Sequence, residues 1–227
     1  MNKEELEALV KTLNDPHELE EYKRPYDNYK PSRLPSILGW VLVTCGNLVY
    51  GNKPSYQKFR AVEVIARVPY HSWSSAAFTF LTMFYSHEQK AIQLSLVSRF
   101  ARLAQDNETM HVVVISQLAA KYQKSNWIVH TFIPMAFAFF YFWIAYLLYV
   151  CSHRYALELN YLFEQHAFDQ YNLFLKLNEK ELKDRTLESE FLQFYGREAR
   201  THYEFFMSVR NDEIVHRNRS IREIVLN

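Results

Sequence analysis

Two Glu-x-x-His pairs, Glu108-Thr-Met-His111 and Glu213-Ile-Val-His216, constrain this chain more than any other feature. Each falls in a long stretch that reads as helix. Side chains three apart lie on one helical face, so each pair can aim a carboxylate and an imidazole at one point. A single Glu-x-x-His arises by chance about once at this composition and then reads as a solvated helix face. Two pairs interleaved with lone glutamates are harder to dismiss. Glu63 precedes the first pair and Glu164 lies between the two, and the four positions are spaced widely enough for one long helix and a connection in each interval.

The order Glu, Glu-x-x-His, Glu, Glu-x-x-His is the ligand set with which ferritin-like bundles hold two irons. It predicts an all-α fold: a ferritin-like four-helix bundle with a di-iron centre held by Glu63, Glu108, His111, Glu164, Glu213 and His216. Four carboxylates and two imidazoles suit iron or manganese, whereas zinc sites prefer four ligands, usually with more His or Cys.

The residues around these ligands carry a resemblance. Val62-Glu63-Val64-Ile65-Ala66-Arg67-Val68-Pro69-Tyr70 resembles the first motif of plastid terminal oxidases. Asn107-Glu108-Thr109-Met110-His111 is similar to the Asn-Glu-x-Met-His motif of the wider alternative oxidase family, and Arg210-Asn211-Asp212-Glu213-Ile214-Val215-His216 to its Arg-x-Asp-Glu-x-x-His signature. Glu164-Gln165-His166-Ala167, with Tyr171 and Phe174-Leu175-Lys176, resembles the plastid form's third motif. There are departures. Phe163-Glu164-Gln165-His166-Ala167 stands where the family usually has Leu-Glu-Glu-Glu-Ala, and Lys58 where an Arg is common, which keeps the charge but loses the planar fork.

The resemblance implies a membrane-bound quinol:oxygen oxidoreductase. Two quinols (plastoquinol or ubiquinol) and one O2 would give two quinones and two waters at a non-haem centre of two Fe ions, without proton pumping and resistant to cyanide. It implies that Tyr171, two helical turns beyond Glu164, lies beside the centre. Asp212 and Asn107 adjoin ligand glutamates and are candidates to orient His111 or His216. Lys58, Val62, His166, Ala167 and Gln170 match positions near the quinol cleft. Two other functions remain open: a di-iron hydroxylase or oxygenase acting on a lipid-soluble substrate, and a ferritin-like iron-binding protein. The latter has no need of a large apolar face.

Composition bounds the rest. A net charge of +1 argues against a nucleic-acid partner. The 17 Phe, 16 Tyr and 4 Trp fit either a large core or a membrane-interface belt. Cys45 and Cys151 lack metal-type spacing and read as buried free thiols. The first 25 residues are rich in Glu, unlike a transit peptide, and no secretory signal is seen.

Residues 1–35 read as a polar, proline-rich arm: a short helix over 3–13, then an extended stretch of the kind that wraps a neighbouring subunit. With the resemblance this implies a homodimer. Residues 36–227 read as one domain. Helices are predicted over about 36–50, Tyr56–Tyr85 with a kink at Pro69, Glu88–Gln123, 127–151, His153–Leu177 and Arg197–Val225. The 127–151 stretch contains no Asp, Glu, Lys or Arg and by hydropathy alone reads as a membrane span. It is also about as long as the bundle, whose second and third ligand helices need a long connection. It is therefore expected to lie along the bundle and, with 36–50, to dip into one leaflet of an energy-transducing membrane from the cytoplasmic or stromal face. Lys121, Lys124 and Arg154 would meet the headgroups.

Overall fold

The computed structural model describes residues 1–122 and 124–226. Gln123, the expected end of one ligand helix, and Asn227, the expected end of the domain, lie outside them. The described chain is a helical bundle without strands; one antiparallel bridge joins Thr186 to Thr201. In chain order the α-helices are α1 (Lys3–Thr12), α2 (Pro16–Lys23), α3 (Arg33–Tyr50), α4 (Tyr56–Ala66), α5 (Val68–Phe84), α6 (Glu88–Tyr122), α7 (Ile133–Cys151), α8 (His153–Asp184), α9 (Glu190–Tyr195) and α10 (His202–Leu226). α8 pairs with α10, α6 packs on α4 and α5, and α7 lies across α4, α5 and α8.

Two apolar plugs hold the bundle together. One joins Tyr56 and Phe59 of α4, Met110 to Leu118 of α6, Tyr171 and Phe174 of α8, and Phe205, Phe206 and Val209 of α10. The other gathers Tyr70, Trp73, Phe100, Ala104 and Leu157. Three of the glutamates fall between the two along the chain: Glu63 between Phe59 and Tyr70, Glu108 between Ala104 and Met110, Glu164 between Leu157 and Tyr171. A polar layer is thereby sealed between apolar ones, where unmet charge is costly.

Several helix limits differ from expectation for local reasons. The kink expected at Pro69 is a break at Arg67, with Pro69 in the first turn of α5, where its missing N–H costs nothing. Pro134 cannot donate to the carbonyl four residues back, and the chain widens just before it into a π-helical turn over Ile128–Phe132. α8 runs on through a kink at Asn178 (φ −121°), whose side chain donates to the Phe174 carbonyl at 2.9 Å. α10 begins at His202, leaving Arg197 in the preceding loop. Cys45 and Cys151 are exposed, not buried.

The arm is more ordered than an extended strap. Asp15 caps α2, accepting from His17 N at 2.8 Å, with Pro16 as its first residue. Leu6, Val10 and Leu13 are buried against Phe168, Ile214 and Val215 of the same chain. Asn211 donates to the Val10 carbonyl at 2.9 Å and Asn218 to the Tyr22 carbonyl at 2.7 Å. The arm therefore lies along α10.

Candidate metal centre

Four helices each present part of one polar cluster: Glu63 from α4, Glu108 and His111 from α6, Glu164 from α8, Glu213 and His216 from α10. All six side chains are buried. Their ligating atoms form two groups, each within 4.8 Å: Glu63, Glu108, His111 and Glu213, and Glu108, Glu164, Glu213 and His216. Glu108 and Glu213 belong to both. The cluster thus has two ends, each with a lone Glu and a His, and two carboxylates between them.

Much of this cluster is unsatisfied. Glu63 Oε2, both carboxylate oxygens of Glu108, Glu213 Oε1, His111 Nδ1 and both ring nitrogens of His216 are buried without a hydrogen-bond partner. They nonetheless crowd together. His111 Nδ1 is 3.3 Å from Glu108, 3.4 Å from Glu63 and 3.5 Å from Glu213. His216 Nδ1 is 2.9 Å from Glu108 and 3.9 Å from Glu164. Lone pairs turned toward a common point, off hydrogen-bond geometry, are what cation ligands look like. Electrostatics agrees. Burial, then the charge of Glu108, pushes Glu63 up to about 7, and burial with neighbouring carboxylates raises Glu164 and Glu213 as well. Burial pushes Glu108 up too, but His111 and His216 outweigh it and hold this carboxyl below its usual range. Two divalent ions would neutralise all four carboxylates, so the donor set fits a dinuclear site.

Neighbouring side chains hold His111, Glu63 and Glu164. Asp212 accepts from His111 Nε2 at 2.8 Å, leaving Nδ1 for the cluster. Burial raises the Asp212 carboxyl, but Arg197 and His111 overcome it and bring it down to about 2. Tyr171 Oη donates to Glu63, as its expected place beside the centre requires. Asn107 is buried and donates to Tyr195 Oη at 3.2 Å, and its Oδ1 has no hydrogen-bond partner.

Sequence reasoning overlooked four residues. Tyr70 Oη donates to Glu164 at 2.6 Å, and Asn160 donates to the same carboxylate at 3.1 Å and to Ser220 Oγ at 3.2 Å. Arg197 donates to Asp212. A signal for Tyr70 was present: it follows Glu63 at the same spacing as Tyr171 follows Glu164. In the fold the two tyrosines cross, each bonding the other segment's glutamate. Nothing local marks Asn160, Ser220 or Arg197.

A cavity of about 200 Å³ opens onto the cluster. Glu63, Glu164, Glu213 and Tyr171 contribute to its wall, and Leu42 and Val49 of α3 and Pro134 and Phe137 of α7 line its apolar side. Lys58, Val62, His166, Ala167 and Gln170 all line it. Lys58 Nζ donates to Asn47 Oδ1 and the Gly51 carbonyl at 2.9 Å and to Gln170 Oε1 at 3.1 Å, tying α4 to α3 and α8. Burial lowers its pKa.

Comparison with known proteins places this geometry. The family model for alternative oxidase matches residues 40–222. Ubiquinol oxidase 4, chloroplastic/chromoplastic, from Arabidopsis thaliana is 24% identical over 182 residues, covering 71% of this chain and 49% of the relative. The chain thus spans about half the length of that curated relative. No solved structure matches it. With the family match running through all four ligand-bearing helices, the chain belongs to the alternative oxidase family.

Proposed function

We propose that the chain is a membrane-bound quinol:oxygen oxidoreductase in which Glu63, Glu108, His111, Glu164, Glu213 and His216 hold two irons. The observation that carries this reading is the single cavity with cluster carboxylates on one wall and the apolar side chains of α3 and α7 on another. A lipid-soluble reductant can reach such a centre without crossing water.

When bound, a pair of irons would supply the redox chemistry toward O2, and the protein the binding, orientation and proton handling. Lys58, His166 and Gln170 present the polar atoms that orient a quinol headgroup between Val62 and Ala167. The cavity has room for a ring but not for a prenyl tail, which would trail along α3 and α7. Tyr171 Oη and Tyr70 Oη hold protons against Glu63 and Glu164, at the two ends of the cluster. The net reaction balances: two quinols release four electrons and four protons, which convert one O2 to two waters.

The membrane arrangement rests on the apolar side chains of α3 and α7 that the bundle leaves uncovered. Ile128–Cys151 is long and apolar enough to cross a membrane by length and composition. One stripe of it (Pro134, Tyr141, Ala145, Tyr149) packs into the bundle. Its other side exposes Met135, Phe139, Phe140, Trp143, Ile144 and Leu147, and α3 exposes Ile37, Trp40, Leu48 and Val49. A helix with one stripe packed on α4, α5 and α8 and its other side bare fits insertion into one leaflet better than a perpendicular span. Protons taken up and released on one side of a bilayer build no gradient, hence no pumping.

Oxygen uptake by iron-loaded protein in liposomes, with a short-chain quinol and cyanide present, tests the reading. Two quinols consumed per O2 with all the oxygen in water supports the oxidase. Labelled oxygen recovered in an organic product would replace it with a hydroxylase.

A further inference from the structure

We infer that the N-terminal helix α1 is a working part of the metal centre: Glu7, through Arg197 and Asp212, positions His111. Residues 1–39 lie outside the span matched by the family model.

The geometry is a chain of direct contacts. Glu7 accepts from Arg197 Nε at 2.8 Å (Oε2) and from Nη2 at 2.6 Å (Oε1), a two-pronged pair along one edge of the guanidinium. The adjoining edge serves Asp212: Nη2 donates to Oδ1 at 3.0 Å and Nη1 to Oδ2. Nη1 also reaches Ser208 Oγ at 3.5 Å. Every N–H of the guanidinium is thereby directed at an acceptor. Asp212 Oδ2 in turn receives His111 Nε2 at 2.8 Å, which turns Nδ1 toward Glu63, Glu108 and Glu213.

Each link depends on the one before it. Arg197 is only 5% exposed and sits in a loop, so no helix backbone holds it in place. With one edge unpaired, a buried guanidinium must recover partners elsewhere, and the nearest route is a rotation that loosens its grip on Asp212. An Asp212 free to turn no longer fixes the tautomer and tilt of His111. Glu7 touches neither ligand nor substrate, so it is a positioning residue. Elsewhere α1 is held by Leu6, Val10 and Leu13 in a hydrophobic contact and by Lys3 donating to the Tyr195 carbonyl, neither of which touches the Glu7–Arg197 pair.

The inference rests on the metal-centre reading, and the test separates the two. Metal-free full-length protein is titrated anaerobically with Co2+ alone, following stoichiometry, affinity and the visible ligand-field spectrum. Wild type is compared with Glu7→Gln, Glu7→Asp and Leu13→Ala. Loss of a partner that directly contacts a metal-bound His costs about 10–100-fold in metal affinity. Glu7 acts two links further out, so Glu7→Gln is expected to weaken one of the two ions by about tenfold, at the lower end of that range, and to alter its spectrum. Glu7→Asp should recover most of the affinity. Leu13→Ala loosens the arm without touching the charges, and should lower the thermal midpoint while leaving Co2+ binding at wild-type strength. If Glu7→Gln does not fold, Arg197→Lys carries the same expectation, since one ammonium cannot serve both carboxylate edges. The inference is overturned if Glu7→Gln binds both ions like wild type, or if Leu13→Ala weakens them equally. Failure of wild type to bind Co2+ would remove the metal-centre reading along with it.

Discussion

Replacing Phe139 and Phe140 of α7 by Ser should release the protein from membranes while leaving its metal centre intact. These side chains are 63% and 65% exposed on the uncovered side of the helix. At about 200 Å² per aromatic side chain, the pair offers roughly 250 Å² of apolar surface to lipid. At 25 cal/mol/Å² this is about 6 kcal/mol as an upper bound. An interfacial helix inserts only to the headgroup–acyl boundary, so half of that, about 3 kcal/mol, is a fair expectation, or roughly a 150-fold weaker partition. The assay is sedimentation with liposomes over a range of lipid concentrations. Phe194→Ser is the control: Phe194 is 83% exposed but lies on α9, away from the proposed lipid-facing surface. The reasoning fails if the double variant partitions like wild type, or if Phe194→Ser is just as damaging. A wild type that resists carbonate extraction as firmly as a spanning protein would contradict the one-leaflet arrangement.

Three further outcomes are expected. Tyr70→Phe removes a buried hydrogen bond to a carboxylate, worth about 1.5–3 kcal/mol, and should weaken metal binding at the Glu164 end by roughly tenfold or more while thermal unfolding remains cooperative; calorimetric titration of the metal-free protein checks it. Lys58→Met should raise the quinol KM about tenfold with kcat within about twofold, because Lys58 is proposed to contact the headgroup and not the reacting centre; steady-state oxygen uptake separates the two constants. His202 is lowered to about 4, first by burial, then by Arg185 and Lys121. Its unfolded form takes up a proton near 6.5 and its folded form resists until about 4, so its contribution to stability declines as pH falls through that window. The thermal midpoint of wild type should drop more steeply from pH 6.5 to 4 than that of His202→Gln, and identical slopes would exclude His202 as the source.

The sequence was most legible where one helix face carries the information. A Glu-x-x-His pair is its own geometric statement, and the six side chains it led to are gathered by the fold into two overlapping groups. Tyr171 was reached through resemblance, whereas Tyr70 was missed although its spacing from Glu63 repeats the Glu164–Tyr171 spacing. The break at Arg67 hid that symmetry, because a kinked segment does not promise that spacing a shared face. Asp15-Pro16 is a helix start that was read as part of an extended arm, since prolines were weighed as breakers without regard to position. Cys45 and Cys151 were expected to be buried because they sit among apolar residues. That inference assumes an aqueous surround, and α3 and α7 each keep an uncovered apolar side. Arg197, Asn160 and Ser220 could not be found locally. Their roles come from helices and loops far apart in sequence, and only packing reveals that Arg197 bridges Glu7 and Asp212.

The central claim is that Glu108 and Glu213 would serve both ions of a dinuclear centre, since they belong to both donor groups. Iron bound per chain, measured after anaerobic loading and desalting, tests it most directly when wild type, Glu63→Ala and Glu108→Ala are compared. Glu63 belongs to one group of four donors and Glu108 to both. The account predicts two irons in wild type, about one in Glu63→Ala, where the other four donors are untouched, and fewer than one in Glu108→Ala. One iron in wild type, or equal retention by the two variants, would contradict a shared dinuclear centre.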